Sequence, residues 1–142
     1  MKKKASGPQS KNRLLTLENL ERDVWGPPTF TSHLVTTCHK LRKKPLQDFT
    51  VEDLRMMIGQ DIGSKYLLPI ALEKLQENPL AEGDFYEGDL LYNVIRSQSP
   101  LLKEDRDFRA ALKLVCAAAL EVVDSQLPKD ARKAVSEFVQ SS

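Results

Sequence analysis

The segment from Asn78 to Val94, NPLAEGDFYEGDLLYNV, holds the residues of this chain that are best suited to binding chemistry. Four carboxylates and two glycines surround an adjacent pair of aromatic residues, a Phe and a Tyr. A ring flanked by carboxylates suits a docking surface for a basic partner, because the ring anchors the partner while the acids steer and select it. We therefore predict a partner-binding site made of Glu82, Asp84, Tyr86, Glu87 and Asp89.

These residues, 82–89, are called the acidic loop below, and they also have a purely structural interpretation. Phe85 and the neighbouring Tyr could fold back into the core, while Asp84 and Asp89 cap helices. That interpretation leaves Glu82 and Glu87 unexplained, since both add negative charge beside a ring. We expect the side chains of Glu82 and Glu87 to be exposed.

Metal binding and catalysis find little support among the remaining reactive residues. His33, Cys38 and His39 point to different sides of a helix at about 100° per residue, and no second cluster completes a tetrahedral set. Nothing around the serines or Cys116 resembles a strained nucleophile elbow, and the chain has no P-loop and no GxGxxG motif. We therefore predict no enzyme activity, no metal and no cofactor.

Basic residues concentrate in the first third of the chain. Residues 1–44 hold ten Lys and Arg against three Asp and Glu, whereas residues 45–99 hold four against ten. The clusters Lys2–Lys4 and His39–Lys44 could neutralise phosphates, but no aromatic residues interleave with them. We therefore favour a structural interpretation of both clusters. The first is a solubilising tail, and the second places positive charge at the C-terminal end of a helix, where it suits the helix dipole. A small helical nucleic-acid-binding regulator that uses the basic first third is the alternative.

Several patterns bound the compartment and the fold class. The two cysteines form no CxxC pair, no apolar stretch follows the basic N-terminus, and no run reaches the roughly 18 apolar residues of a membrane span, so we expect a cytoplasmic protein. Residues 1–13 read as a disordered basic tail and residues 14–142 as one helical domain. No stretch alternates as a strand would, which predicts an all-α, compact single-domain bundle of about seven helices without a sheet.

Helix boundaries follow from capping residues and helix breakers. Thr16 and Ser32 are placed to cap the first two helices, and the first is expected to run past Val24 until the Gly-Pro-Pro at residues 26–28 stops it. Gly59 should end a third helix, and Pro69 should either begin or kink a fourth. One long helix is predicted over residues 103–125, and the last is predicted to begin near residue 128.

Longer motifs resemble the immunity proteins of bacterial contact-dependent growth inhibition (CDI) systems. They are LENLE with WGPP, SHLV, LRKKPLQDFTVEDLRMMIGQ, and LLPIALEKLQENPLAEGDFYEGDLL, in this order over residues 14–98. The resemblance implies a cytoplasmic inhibitor that forms a tight one-to-one complex with the C-terminal toxin domain of a cognate CdiA surface protein. Many such toxins are nucleases with basic substrate channels. An inhibitor could therefore block such a channel by placing its carboxylates where the phosphates of the substrate bind. Direct binding of nucleic acid or membrane is not implied.

The shared motif has two interpretations that stay open at this point. It can hold the toxin contacts, or it can be a scaffold common to all members, with contacts at divergent positions elsewhere. Arg55 and Gln60 could serve either purpose. Five apolar residues of the motif are expected in the core: Trp25, Phe49, Leu54, Ile58 and Leu72.

Overall fold

The computed structural model describes residues 13–28 and 32–141, and the secondary structure in these ranges is entirely helical. The predicted tail lies, up to residue 12, outside them. The described residues contain eight α-helices and one 3-10 helix and no strand, which confirms the all-α fold class. The helices are α1 (Leu17–Glu21), α2 (His33–Leu41), the 3-10 helix (Leu46–Asp48), α3 (Val51–Gly59), α4 (Ser64–Glu77), α5 (Asp89–Ile95), α6 (Leu101–Glu104), α7 (Arg106–Glu121) and α8 (Lys129–Gln140).

The helices group into two compact units, one that ends at Thr50 and one that begins at Val51. In the first unit, Thr16 and Asn19 form a reciprocal capping box at the start of α1, and Ser32 accepts a hydrogen bond from the backbone of Val35 at the start of α2. Both predicted caps are therefore confirmed. The N–H of Glu18 also donates to the carbonyl of Arg42 at 3.1 Å, so α1 is held against the end of α2.

The first helix is shorter than its periodicity predicts. It ends at Glu21, because Arg22 adopts a left-handed conformation with φ of 54°. Val24 is consequently outside the helix and 71% exposed, and the prediction that the helix reaches it is wrong. Of the expected core residues of this unit, Phe49 is buried and Trp25 is only partly buried.

The second unit is built around α4, whose apolar side chains face neighbouring helices. Contacts join α3 to α4 and α5, α4 to α5 and α7, and α8 to α5 and α7. The predicted core residues Leu54 and Ile58 are buried, whereas Leu72 is only partly buried. Other fully buried apolar residues of this unit are Met57, Leu67, Leu68, Ala71, Leu75, Leu90, Leu91, Val94, Leu112, Cys116, Ala119 and Val135. None of the described helices is both long and apolar enough to cross a bilayer.

Proline and capping residues settle the remaining boundaries. Pro69 lies inside α4 and does not begin it, and Gly59 is the last residue of α3 as predicted. The single helix predicted over residues 103–125 is wrong in two respects: Asp105 interrupts it and accepts a hydrogen bond from the N–H of Phe108 at 2.9 Å, and α7 already ends at Glu121. The break at Asp105 accounts for eight α-helices where about seven were expected. Pro128 directly precedes α8.

Candidate functional site

Asp89 organises the acidic loop from the first residue of α5. Its side chain is fully buried. Its carboxylate accepts hydrogen bonds from the backbone N–H groups of Gly83 at 2.6 Å, Phe85 at 3.0 Å and Tyr86 at 3.3 Å. The prediction that Asp89 caps α5 is wrong, since Gly88 is the N-cap residue and no side chain caps this helix. The carboxylate turns back to the loop because three unpaired N–H groups converge there.

Two side chains of α3 hold the same loop from beneath. Glu52 accepts two hydrogen bonds from the guanidinium of Arg55, at 2.6 and 2.5 Å, and a third from the N–H of Asp84 at 2.8 Å. Arg55 Nε also lies 3.9 Å from the carboxylate of Asp89. The hydrogen bond from Arg55 lowers the pKa of Glu52, and Glu52 in turn raises the pKa of Arg55, so both groups are charged at neutral pH.

Phe85 is the most prominent feature of the loop surface. One side of its ring rests on the guanidinium of Arg55, with 4.1 Å from Arg55 Cζ to the ring centroid. The residue is nevertheless 69% exposed, so the suggestion that Phe85 folds back into the core is wrong. A planar guanidinium attracts the face of an aromatic ring and holds its orientation. The loop therefore displays an apolar ring that stands on a partly buried ionic network of Arg55, Glu52 and Asp89.

The other predicted site residues divide into exposed and internal groups. Glu82 and Asp84 are exposed, as a docking surface requires. Tyr86 is partly buried, and burial raises the pKa of its phenol. Glu87 is also only partly exposed, contrary to expectation, because its carboxylate accepts a hydrogen bond from the N–H of Gln126. The structure thus brings all five predicted residues into one loop and presents two acids freely to solvent.

Both glycines of the acidic loop lie where another side chain comes close to the backbone. A Cβ on Gly83 would lie 2.4 Å from a carboxylate oxygen of Glu52. Gly88 has φ of 88°, which L-residues rarely adopt, and a Cβ there would lie 2.4 Å from a methyl carbon of Leu127. The glycines therefore allow the loop to pack tightly on α3 and on the segment before α8.

The sequence left the role of Arg55 open and did not single out Glu52, although their spacing carried a partial signal. Glu52 and Arg55 stand three positions apart on a predicted helix, a spacing at which opposite charges pair. That spacing could have revealed the ion pair, but not its contact with a loop that lies 32 residues further along the chain. Phe85 was recognised as part of the motif, yet local sequence could not decide between the core and the surface.

Reactive side chains outside the loop offer little chemistry. No group of three or more His, Cys, Asp or Glu is arranged to hold a metal ion in the part of the chain that the structure describes. Burial raises the pKa of the Cys116 thiol to about 12 and also raises that of Cys38. Neither thiol is therefore a nucleophile at neutral pH.

The basic cluster at the end of α2 is largely engaged within its own unit. Arg42 is buried, forms an ion pair with Glu21 and donates to the carbonyl of Asp23. Its guanidinium lies 4.4 Å from the centroid of the Trp25 ring. Since Lys43 also pairs with Glu18, at 2.8 Å, this cluster has less charge to offer to phosphates than its sequence suggests. These pairings count against the His39–Lys44 cluster as a phosphate site, while Lys2–Lys4, the other cluster of the nucleic-acid alternative, lie outside the described residues.

Comparison with known proteins shows which family the chain resembles. A family model described as CDI immunity proteins matches residues 19–112. The matched range includes α3, the acidic loop and α5. No curated protein matches the chain.

Proposed function

The chain belongs to the family of CDI immunity proteins, and we propose that it neutralises its cognate CdiA toxin domain through the acidic loop, in a one-to-one complex. The observation that carries this proposal is the loop geometry. Phe85 is 69% exposed although its backbone is held by the buried carboxylate of Asp89 and its ring by the partly buried guanidinium of Arg55. A pre-ordered, exposed aromatic side chain is a suitable anchor for a protein interface because little conformational entropy is lost on binding.

We propose further that the toxin domain is a nuclease with a basic substrate channel. Glu82 and Asp84 would then pair with the Lys and Arg side chains that otherwise hold phosphates. Phe85 would enter an apolar recess beside them. In this arrangement Tyr86 borders the contact, while Glu87 and Asp89 keep the loop in its binding conformation through their backbone hydrogen bonds.

Inhibition by such a surface requires no catalysis by the immunity protein. The acids occupy the positions of the substrate charges, and the complex persists because the ring and the ion pairs are removed from water together. We propose that the protein acts in the cytoplasm, where a delivered nuclease would meet its substrate. Neither a metal nor a cofactor has a role in this mechanism.

The decisive experiment is co-expression of the chain with the C-terminal domain of the surface protein that is encoded immediately upstream. We expect the two to co-purify through size exclusion at one-to-one stoichiometry, with loss of the RNA- or DNA-degrading activity of the toxin. Separate elution with full toxin activity would contradict the proposal for this pair. Co-purification without any nuclease activity in the free toxin would contradict only the proposed reaction.

The contribution of the loop is tested separately from complex formation. The exchange Phe85→Ala removes the exposed ring and should weaken binding at least tenfold, because central aromatic anchors carry much of the affinity of an interface. The exchange Phe85→Leu keeps an apolar side chain and should weaken binding less. Unchanged affinity of Phe85→Ala would move the interface away from the acidic loop.

A further inference from the structure

The second half of α7 and the turn after it are apolar on all sides. The segment from Leu114 to Val123 reads LVCAAALEVV, in which nine of ten residues are apolar and Glu121 is the only charge. A helix that is apolar all round is normally buried all round. In a small helical unit, only one face of this helix can be buried. The segment therefore has a second apolar face that packing within the unit does not explain.

The structure buries one face of this segment and leaves the other open. Cys116 and Ala119 are fully buried against the rest of the unit. On the open face Leu114 is 74% exposed and Val122 is 43% exposed, with the exposed Ala118 between them. A spacing of four residues places Leu114 and Ala118 along one line of the surface of α7, and Val122 directly follows the end of that helix at Glu121. Together with Val123 they are called the apolar ridge.

The turn that ends the ridge holds Val123 outward. Val123 is 78% exposed, the highest value of any large apolar residue in the described ranges. The next residue, Asp124, has φ of 60°, a left-handed conformation that non-glycine residues adopt at a cost in energy. A strained backbone next to an exposed apolar side chain is a reason to look for a binding role.

The same turn leads directly to the acidic loop. Three residues after Val123, the N–H of Gln126 donates to the carboxylate of Glu87. The side chain of Leu127 then packs where a Cβ of Gly88 would lie. The segment that directly follows the ridge is therefore held against the acidic loop within the second unit, which places the end of the ridge close to the loop along the chain.

We propose that the apolar ridge is a second part of the surface that binds the toxin domain, in addition to the acidic loop. This inference rests on the proposed function. The ridge fits the same partner because exposed acids, Glu121 and Asp124, border its apolar side chains. An apolar centre with a negative rim matches a basic protein that has an apolar recess. A second copy of this chain fits less well, since a symmetric contact would place like charges opposite each other.

The ridge has a further property that suits discrimination between toxins. It lies beyond residue 112, where the match to the family model ends. An immunity protein must accept one toxin and reject its relatives, and a contact next to the shared loop supplies this selectivity. In this arrangement the acidic loop pairs with charges of the toxin, and the ridge provides shape complementarity to it.

The test is the affinity of single variants for a catalytically inactive form of the toxin domain, measured by calorimetry. We expect Val123→Asp and Leu114→Lys to weaken binding at least tenfold each, because each places a charge in an apolar contact. Both side chains are exposed, so circular dichroism should show unchanged thermal midpoints. Val24→Asp is the matched control, because Val24 is 71% exposed and lies in the other unit. We expect its affinity to stay within twofold of the unaltered protein.

The outcomes separate the ridge from the proposed function. If the unaltered chain binds the toxin and both ridge variants bind equally well, the ridge inference is wrong and the proposed function stands. Equal losses for the ridge variants and Val24→Asp would also overturn it. If the unaltered chain does not bind, both inferences fail together. A free protein of twice the 16.0 kDa chain mass, which Val123→Asp converts to monomer, would assign the ridge to self-association instead.

Discussion

Each of the two units contains an arginine that pairs with a glutamate and lies against an aromatic ring. In the first unit Arg42 pairs with Glu21 and lies 4.4 Å from the Trp25 centroid. In the second unit Arg55 pairs with Glu52 and lies 4.1 Å from the Phe85 centroid. The chemistry of the two clusters is the same, but their exposure differs.

The difference lies in which part of each cluster faces water. The Arg42 side chain is only 1% exposed and also donates to a backbone carbonyl, so this cluster ties the end of α2 to the chain after α1. In the other cluster the ring is 69% exposed while its arginine is nearly buried. An Arg–Glu ion pair that lies against an aromatic ring can therefore either stabilise the fold or hold the ring at the surface. The position of the ring decides between these two roles.

The largest expected effect is on the closed cluster. We expect Arg42→Ala to lower the free energy of unfolding by about 3 kcal/mol, because it leaves a carboxylate and a carbonyl without their partner and removes the contact with Trp25. Urea unfolding followed by circular dichroism measures this loss. Toxin affinity of the folded variant should stay within twofold. A variant with unchanged stability and weakened binding would reverse the roles of the two clusters.

The displayed cluster should behave in the opposite way. We expect Arg55→Ala to weaken toxin binding by about 2 kcal/mol, or roughly thirtyfold, because Phe85 loses the planar group that orients it. The loss of stability should be smaller, about 1 kcal/mol. Calorimetry and urea unfolding of the same sample compare the two quantities.

Arg55→Lys is the control for charge alone. Lysine keeps the positive charge but lacks the planar fork that engages Glu52 and the ring together. Its affinity should lie between those of Arg55→Ala and the unaltered protein. Full affinity of the lysine variant would show that only the charge, and not the stacked geometry, matters for the displayed ring.

A smaller effect is expected for the exposed acids beside the ring. The double exchange of Glu82 and Asp84 to Lys should weaken binding about tenfold, mainly through slower association, and the effect should shrink as salt increases. Surface plasmon resonance at two ionic strengths measures both trends. The double exchange of Glu77 and Glu104 to Lys changes the net charge equally at exposed sites elsewhere. Equal losses for both pairs would indicate a general charge effect.

The smallest effect concerns the dependence of stability on pH. The pKa of Glu52 is lowered from its ordinary value of 4.5, so the unfolded chain takes up the proton first as the pH falls. Its stabilising contribution is complete at neutral pH and is lost below pH 4.5, by about 1 kcal/mol or less. Glu52→Gln should reduce the difference between urea midpoints at about pH 7 and about pH 3.5. Glu82→Gln is the matched control, because it makes the same exchange at an exposed acid of the acidic loop.

Local sequence was sufficient for much of the helical framework. The caps at Thr16 and Ser32 were predictable because a side-chain oxygen bonds to an N–H only three residues away. The end of α1 and the break at Asp105 were missed, because periodicity continues through both. Arg22 in a left-handed conformation and Asp105 as a cap interrupt the helices without breaking the apolar pattern.

For the proposed binding surface, local sequence was likewise sufficient for one part and not for the other. The sequence by itself determined that the acidic loop is unusual and that its acids surround two rings, and it carried the family motif. Only the tertiary structure decided that Asp89 is internal, that Phe85 is displayed and that Arg55 stands beneath it. Asp89 pairs with N–H groups only three to six residues away, whereas Glu52 meets the N–H of Asp84 across 32 residues of chain, and burial makes pairing such groups obligatory. Such partners are chosen by the packing of α3 against α5, which no local pattern contains.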